Sequence, residues 1–278
     1  MLLQSLLRPV LTPLMRGMFD APIASSAAWS PADLTSLVAW YDPSDLTTLF
    51  QDSAGTTPVT AAGQPVGLIL DKSGNGHHAS QSTSTARPLF QIDGSGNAHL
   101  VFDGVDDYLS TAAIDLTGTS QVTVFTGTLE VCTSVSILYE TSTNALFGGA
   151  FFCAVDYKAG GVGDWLVSGS TGIEFATVAD QPSRAVTTAK LSSVFTSGVG
   201  ALSVNVNGAP QTLENQYQPG ATSTGNFGNW PLFVGARSGP SLPFNGNIYS
   251  LIIGGTAYDA ATVLAAETWV ADKTGVTL

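Results

Sequence analysis

The sequence predicts an all-β protein, two antiparallel sheets packed face to face, and three observations carry that expectation. From residue 120 the apolar pattern has period two: Val122 and Val124 fall on one face, Thr123 and Phe125 on the other. Strand-like runs then follow at 135–140, 149–157, 163–168, 172–178, 186–195, 201–207, 231–236 and 246–254. Turn residues separate them at intervals too short for helical crossovers, so the strands should pair antiparallel. Third, residues 99–110 (HLVFDGVDDYLS) read as two strand pieces joined by a tight acidic corner. Gly104 can supply the positive φ that such a corner needs.

The elements follow in order. Residues 1–23 carry Leu3, Leu7, Val10, Leu14 and Met18 at helical spacing, while Pro9 and Pro13 break any continuous helix. A secretory signal places basic residues first and then an unbroken apolar run; here Arg8 and Arg16 interrupt the run, although 24–28 has the small residues of a cleavage site. The favoured reading is an apolar arm, helical or extended, that docks on a partner through Leu3, Leu7, Arg8, Val10, Leu14, Arg16, Met18 and Phe19. The chain thus divides into an arm at 1–29 and a β domain at 30–278. Ser30, Pro31 and Asp33 suit the start of a short helix. A first strand begins near Leu37, 46–64 reads as a loop, and Val66–Leu70 reads as a buried strand. Asn75-Gly76 favours a tight turn. A short C-terminal helix should start at Asp259, run through Val263, Leu264, Glu267, Trp269, Val270 and Lys273, and stop at Gly275.

Composition excludes several partners. Net charge is −12 and charged residues are 11% of the chain, against about 25% in an average soluble domain. A negative field of this size repels phosphate backbones, which argues against nucleic-acid binding. No run of ~18 apolar residues is present to span a membrane.

Five segments in sequence carry a resemblance: Leu37-Val38-Ala39-Trp40-Tyr41-Asp42-Pro43-Ser44-Asp45, Asp71-Lys72-Ser73-Gly74-Asn75-Gly76-His77-His78-Ala79, the 99–110 corner, Leu202–Gly208 and Phe244–Ile253. Together they resemble the concanavalin A-like (laminin G-like) jelly-roll family over residues 30–278. The resemblance implies a two-sheet antiparallel jelly roll, a fold that hosts lectins, glycanases and structural modules. The arm is similar to the N-terminal arms of tailed-bacteriophage virion proteins. The helix ending Lys273-Thr274-Gly275-Val276 resembles bacterial and phage members, where it closes one edge of the sandwich. What this implies is a non-enzymatic virion structural protein, capsid-decorating, head-fibre or tail-associated. It would be a homo-oligomer docked on other virion proteins through the arm. The alternative is a secreted or surface lectin-type module that binds a cell-surface glycan.

The residues bear on chemistry as follows. Glycanases of this fold carry clustered carboxylates on one strand, as a glycosidic cleavage with two acids requires. The five glutamates, Glu130, Glu140, Glu174, Glu214 and Glu267, each lack an acidic residue two positions away. No Gly-x-Ser-x-Gly elbow, His-x-Glu or Cys-x-x-Cys spacing occurs either. His77 and His78 read as solvated turn residues. Asp103, Asp106 and Asp107, with Asp42 and Asp45 approaching from the first strand, could hold calcium; equally, the corner works as a turn with Asp side chains capping backbone amides. Sugar binding could use Trp165, Tyr217 and Trp230 for stacking with Asn226 and Asn229 beside them, though a tryptophan in a sandwich also serves as packing. Trp40 and Trp269 read as core. Cys132 and Cys153 read as two buried thiols, with a single disulfide as the alternative.

Overall fold

The computed structural model describes residues 28–278 except 133, 143–147, 156–162, 169–172, 179–182, 197–200, 218–221 and 239–240, with backbone alone at 163, 173–177 and 214–217. The docking residues expected in the arm lie outside the described residues. The strands are β1 (Leu37–Tyr41), β2 (Leu49–Phe50), β3 (Leu68–Ile69), β4 (Ala79–Ser80), β5 (Leu89–Ile92), β6 (Ala98–Asp103), β7 (Leu109–Asp115), β8 (Gln121–Glu130), β9 (Ser136–Thr141), β10 (Phe151–Val155), β11 (Gly163–Ser168), β12 (Ile173–Val178), β13 (Arg184–Ser192), β14 (Phe195–Thr196), β15 (Leu202–Val206), β16 (Ala209–Pro210), β17 (Glu214–Tyr217), β18 (Thr222–Ser223), β19 (Asn229–Val234) and β20 (Asn245–Gly254). Among the described residues one α-helix, α1 (Ala260–Thr274), follows.

Two antiparallel sheets form the sandwich. An eight-stranded sheet runs β16-β15-β13-β8-β20-β6-β5, with β1 also on β20; a ten-stranded sheet runs β17-β12-β11-β10-β9-β19-β7-β4-β3-β2. The long β20 hydrogen-bonds β8 along one side and meets β6 (Asn245–Ile248) and then β1 (Leu251–Gly254) along the other. Between the sheets, the inward positions of both build one core that includes Phe102, Val122, Val124, Tyr139, Phe151, Trp165 and Phe244. Period two on β8 is thereby explained: Val122 and Val124 enter this core while Phe125 faces the opposite way.

That opposite face is covered by α1, which corrects the expectation that the helix closes an edge. Its Val263, Ala266, Val270 and Ala271 pack on Phe125, Val186, Ile252 and Trp40, so it lies across central strands β8, β13 and β20. The approach is close because β8 has Gly127 beneath it, where a Cβ would fall 2.0 Å from Thr274 Oγ1. Asp259 caps the start by accepting the Thr262 amide at 2.8 Å. Gly275 ends the helix in the left-handed region at φ 70°.

Three further expectations are revised. The Val66–Leu70 run is not one strand: the Val66 amide bonds the Pro88 carbonyl (2.8 Å) beside β5, whereas Gly67 bonds Phe50 (2.8 Å), so the chain changes sheets there. Only Leu68–Ile69 is strand. The 46–64 loop contains a 3-10 turn at Leu46–Thr48 and the short β2. Neither cysteine is in a disulfide, and Cys132 is half-buried rather than buried. Its Sγ lies 3.0 Å from Ser136 Oγ, while Cys153 sits in the core with its thiol pushed up by burial.

Candidate functional site

Two acidic corners and one cleft concentrate the polar chemistry of the described residues. The first corner is built around the Asp71–His78 turn. Asp71 Oδ1 accepts the Trp40 and Ser73 amides, both at 2.9 Å, and Oδ2 accepts Ser73 Oγ at 2.6 Å and the His77 amide at 3.0 Å. Gly74 and Gly76 take positive φ, which lets the turn fold back on its own aspartate. Lys72 reaches Asp42 at 3.2 Å and Asp45 at 2.7 Å, and Lys273 of α1 approaches Asp42 at 3.6 Å. The Lys72 ammonium beside it, helped by the Thr47 hydroxyl, holds the Asp45 carboxyl below its ordinary range. Asp42 and Asp45 therefore serve this corner and do not approach Asp103, contrary to the expectation from sequence.

The second corner is the turn between β6 and β7. Gly104 adopts φ 74°, and a Cβ there would fall 2.7 Å from Asn245 Cβ. Asp103 Oδ1 accepts the Val105 amide at 2.8 Å, and Asp107 Oδ2 accepts the Asp103 amide at 3.1 Å. These are the amide caps expected of a structural turn. Asp103, Asp106 and Asp107 also each offer an oxygen within 4.8 Å of the others. Burial, with the neighbouring Asp103 charge, pushes Asp107 up to about 6. No lysine or arginine pairs with the three among the described residues. A hard cation would find three carboxylate oxygens here, and would relieve their mutual repulsion.

Between the start of β1, the Ser73–His78 turn and the loop from β7 to β8 lies an open cleft of about 430 Å³. Its floor is apolar, from Leu37, Val38, Ile114 and Leu116; its polar rim comes from Asn75, His77, Asp115 and Thr119. The walls are fixed by hydrogen bonds. Asn75 Nδ2 donates to the Leu37 and Val38 carbonyls at 2.8 and 3.0 Å. The His77 carbonyl accepts Tyr41 Oη at 2.5 Å. Asp115 Oδ1 accepts Thr117 Oγ1 at 2.6 Å and its amide at 3.0 Å, and these hold its carboxyl low and charged.

The residues expected to bind sugar divide. Trp165 is 1% exposed in the core between the sheets and cannot stack on a ligand, because β11 turns it inward. Tyr217 falls on β17, but its side chain lies outside the described residues. Asn226 and Asn229 lie beside the cleft, whereas Trp230 stands opposite the buried Ile114 and so points to the other face of β19. Asn226 Nδ2 donates to the Thr117 carbonyl at 2.6 Å, and β19 pairs with β7 so that Asn229 stands opposite Asp115 and Trp230 opposite Ile114. Trp230 is half-buried over Gly228, where a Cβ would lie 1.9 Å from its Nε1. Sequence reading passed over Asp115 and gave His77 only a solvated role. Four separated segments make the cleft, and no spacing in the chain announces that.

Two of the glutamates are tied to internal partners. Glu140 is fully buried and accepts Arg237 Nε at 2.8 Å. Glu267, on α1, is buried and accepts Asn205 Nδ2 at 2.9 Å. The side chains of Glu174 and Glu214 lie outside the described residues.

No known protein family matches this chain, and no curated protein does. Solved structures are similar in fold. The binding domain of botulinum neurotoxin DC, solved with rat synaptotagmin II, aligns with a TM-score of 0.53 at 9% identity, covering 87% of this chain and 52% of that one. A structure described under the statement that cell entry of botulinum neurotoxin type C depends on two ganglioside molecules aligns at 0.52 and 8% identity, covering 84% and 51%. This chain spans about half of those toxin domains. Domain 4 of AbnA, a GH43 extracellular arabinanase from Geobacillus stearothermophilus solved with arabinotriose, aligns at 0.49 and 14% identity, covering 84% and 98%. The chain therefore shares the antiparallel β-sandwich fold of the two toxin structures.

Proposed function

We propose that this chain is a non-enzymatic β-sandwich module that binds a carbohydrate. The observation that carries the reading is the rim at one end of the sandwich, where Asp115, Asn226 and Asn229 are exposed beside an apolar-floored cleft. Carboxylates and amides accept and donate to sugar hydroxyls, while an apolar floor suits the C–H face of a ring. The fold is compatible with this: one similar toxin structure is described with cell entry that depends on two ganglioside molecules, and another is a complex with SialylT. Catalysis is disfavoured because Glu140 and Glu267 are spent on internal partners. The test is a glycan array with the full chain, alongside release of reducing ends from a polysaccharide panel. Binding without release is expected; turnover lost on changing one glutamate would overturn the non-enzymatic part.

A second reading is a virion structural protein that displays this module and docks through residues 1–23. Its support is the arm's sequence, which carries Leu2, Leu3, Leu6, Leu7, Val10, Leu11, Leu14, Met15, Met18 and Phe19 among its 23 positions. Such a segment gains ~1.5–3 kcal/mol for each side chain that a partner covers. Deleting 1–23 should leave the sandwich folded and abolish incorporation into particles. Incorporation at the wild-type level would remove the arm as anchor.

A further inference from the structure

We infer that the ligand site is the cleft between β1, the Ser73–His78 turn and the Asp115–Thr119 loop, and that it takes a neutral sugar ring through adjacent hydroxyls. This rests on the carbohydrate reading and deepens it. About 430 Å³ is within the range of small-ligand pockets, ~300–1,000 Å³. The polar atoms left over in the cleft match hydroxyls. Asp115 uses Oδ1 for Thr117 and leaves Oδ2 without a protein donor among the described residues. Asn75 spends its amide nitrogen on two backbone carbonyls and leaves its oxygen as an acceptor. The His77 imidazole has no hydrogen-bond partner among the described residues, although its backbone is tied on both sides by Asp71 and Tyr41. The cleft thus offers two acceptors and one ring that can donate or accept, above an apolar floor.

Charge selects against anions. Among the described residues Asp115 is the one acidic side chain of the cleft and no lysine or arginine lines it, in a protein of net charge −12. The site is also pre-formed. Ser36 sits at its edge with φ 55°, a conformation costly for serine, and the Gly255 amide bonds the Ser36 carbonyl at 2.8 Å. A wall fixed this way loses little entropy on binding.

The experiment uses the full chain in saturation-transfer NMR and calorimetry. The probes are galactose, glucose, mannose and N-acetylglucosamine, with glucuronic acid and tetramethylammonium as charged comparisons. Asp115→Asn keeps the cap on Thr117, and His77→Ala touches no internal bond of its side chain, so both should melt like wild type. Each should weaken binding of the preferred neutral sugar by tenfold or more, with glucuronic acid bound worse than any neutral sugar. Binding that survives both substitutions places the sugar elsewhere and overturns the cleft while sparing the carbohydrate reading. Preference for tetramethylammonium overturns the ligand class. Absence of binding to these sugars, together with a blank glycan array, overturns both readings. If Asp115→Asn misfolds, His77→Ala alone decides.

Discussion

The two acidic corners contain three aspartates each and are opposite in design. Around Asp42, Asp45 and Asp71 the carboxylate oxygens are satisfied by Lys72, Lys273, hydroxyls and backbone amides. Around Asp103, Asp106 and Asp107 the donors are two backbone amides, with no cation among the described residues. The first corner is finished within the fold and holds β1, the turn and α1 together. The second stores repulsion. Acidic clusters with like composition therefore differ in function according to who answers the charge, and composition alone does not separate them.

The largest expected effect lies in the finished corner. Asp71→Ala removes the acceptor of four donors, two of them the buried Trp40 amide and the His77 amide that shapes the turn. A buried donor left unpaired costs ~1–3 kcal/mol, so urea unfolding should show a loss of ~3–4 kcal/mol. The cleft wall should loosen with it. A loss below ~1 kcal/mol would mean that water replaces the carboxylate readily and that this corner is no staple.

Next comes Asp107, with the opposite sign. Its folded pKa, about 6, is raised above the ordinary carboxylate value. A raised group contributes stability that is fully present below its unfolded value and is lost as pH climbs through about 6. Above that pH the wild type bears a penalty that Asp107→Asn does not. Each pKa unit is worth ~1.4 kcal/mol, trimmed by solvent at the rim, so the variant should gain ~1–2 kcal/mol at pH 8 and nothing at pH 3. Melting curves at both pH values in chelator check this; destabilisation at pH 8 would refute the repulsion. Repeating them in calcium tells cation from cap. A Tm that calcium raises in wild type and not in Asp107→Asn assigns the corner a cation, and equal melting assigns it a capping turn.

Asp103→Ala sharpens the contrast from the other side. It deletes the cap on Val105 but also relieves Asp107. Losing a capping carboxylate costs ~0.5–2 kcal/mol, and the relief offsets part of that above pH 6. The net loss should be larger at pH 4 than at pH 8, the reverse of ordinary acid weakening. Equal losses at both would show that Asp103 and Asp107 do not communicate.

Much of the architecture was legible because it follows local rules. Alternation on β8, Asp259 as a cap and Gly275 as a stop each depend on residues within a few positions, and all three stand. Gly104 was legible for the same reason. The seat of α1 was not, because it depends on Gly127 lying far away in sequence under Thr274. Trp165 was misread because a tryptophan in a Gly-rich stretch looks exposed, while its strand register turns it inward. The cleft was illegible since Ser36, Asn75, Asp115 and Gly255 meet only through pairing of strands distant in sequence.

The smallest expected effect tests whether α1 belongs electrostatically to the finished corner or merely lies against it. Lys273 is 28% exposed at its side chain, 3.6 Å from Asp42 Oδ2, and donates to Ser44 Oγ at 2.6 Å. It also stands 4.9 Å from the Trp269 ring centroid, and Trp269 packs edge-on against Trp40 at 5.6 Å. A half-open pair of this kind is worth ~0–1 kcal/mol and is screened by salt. Lys72 remains on Asp42 at 3.2 Å, so the buried carboxylate is not abandoned. Lys273→Met keeps the apolar stem over the tryptophan and removes only the charge. The loss should be ~0.5 kcal/mol in low salt and vanish in molar salt. A loss unchanged by salt would show that Lys273 acts through packing on Trp269. A loss of ~3 kcal/mol, the size seen when one partner of a buried pair is removed, would mean that Asp42 depends on the helix rather than on Lys72 for its counter-charge.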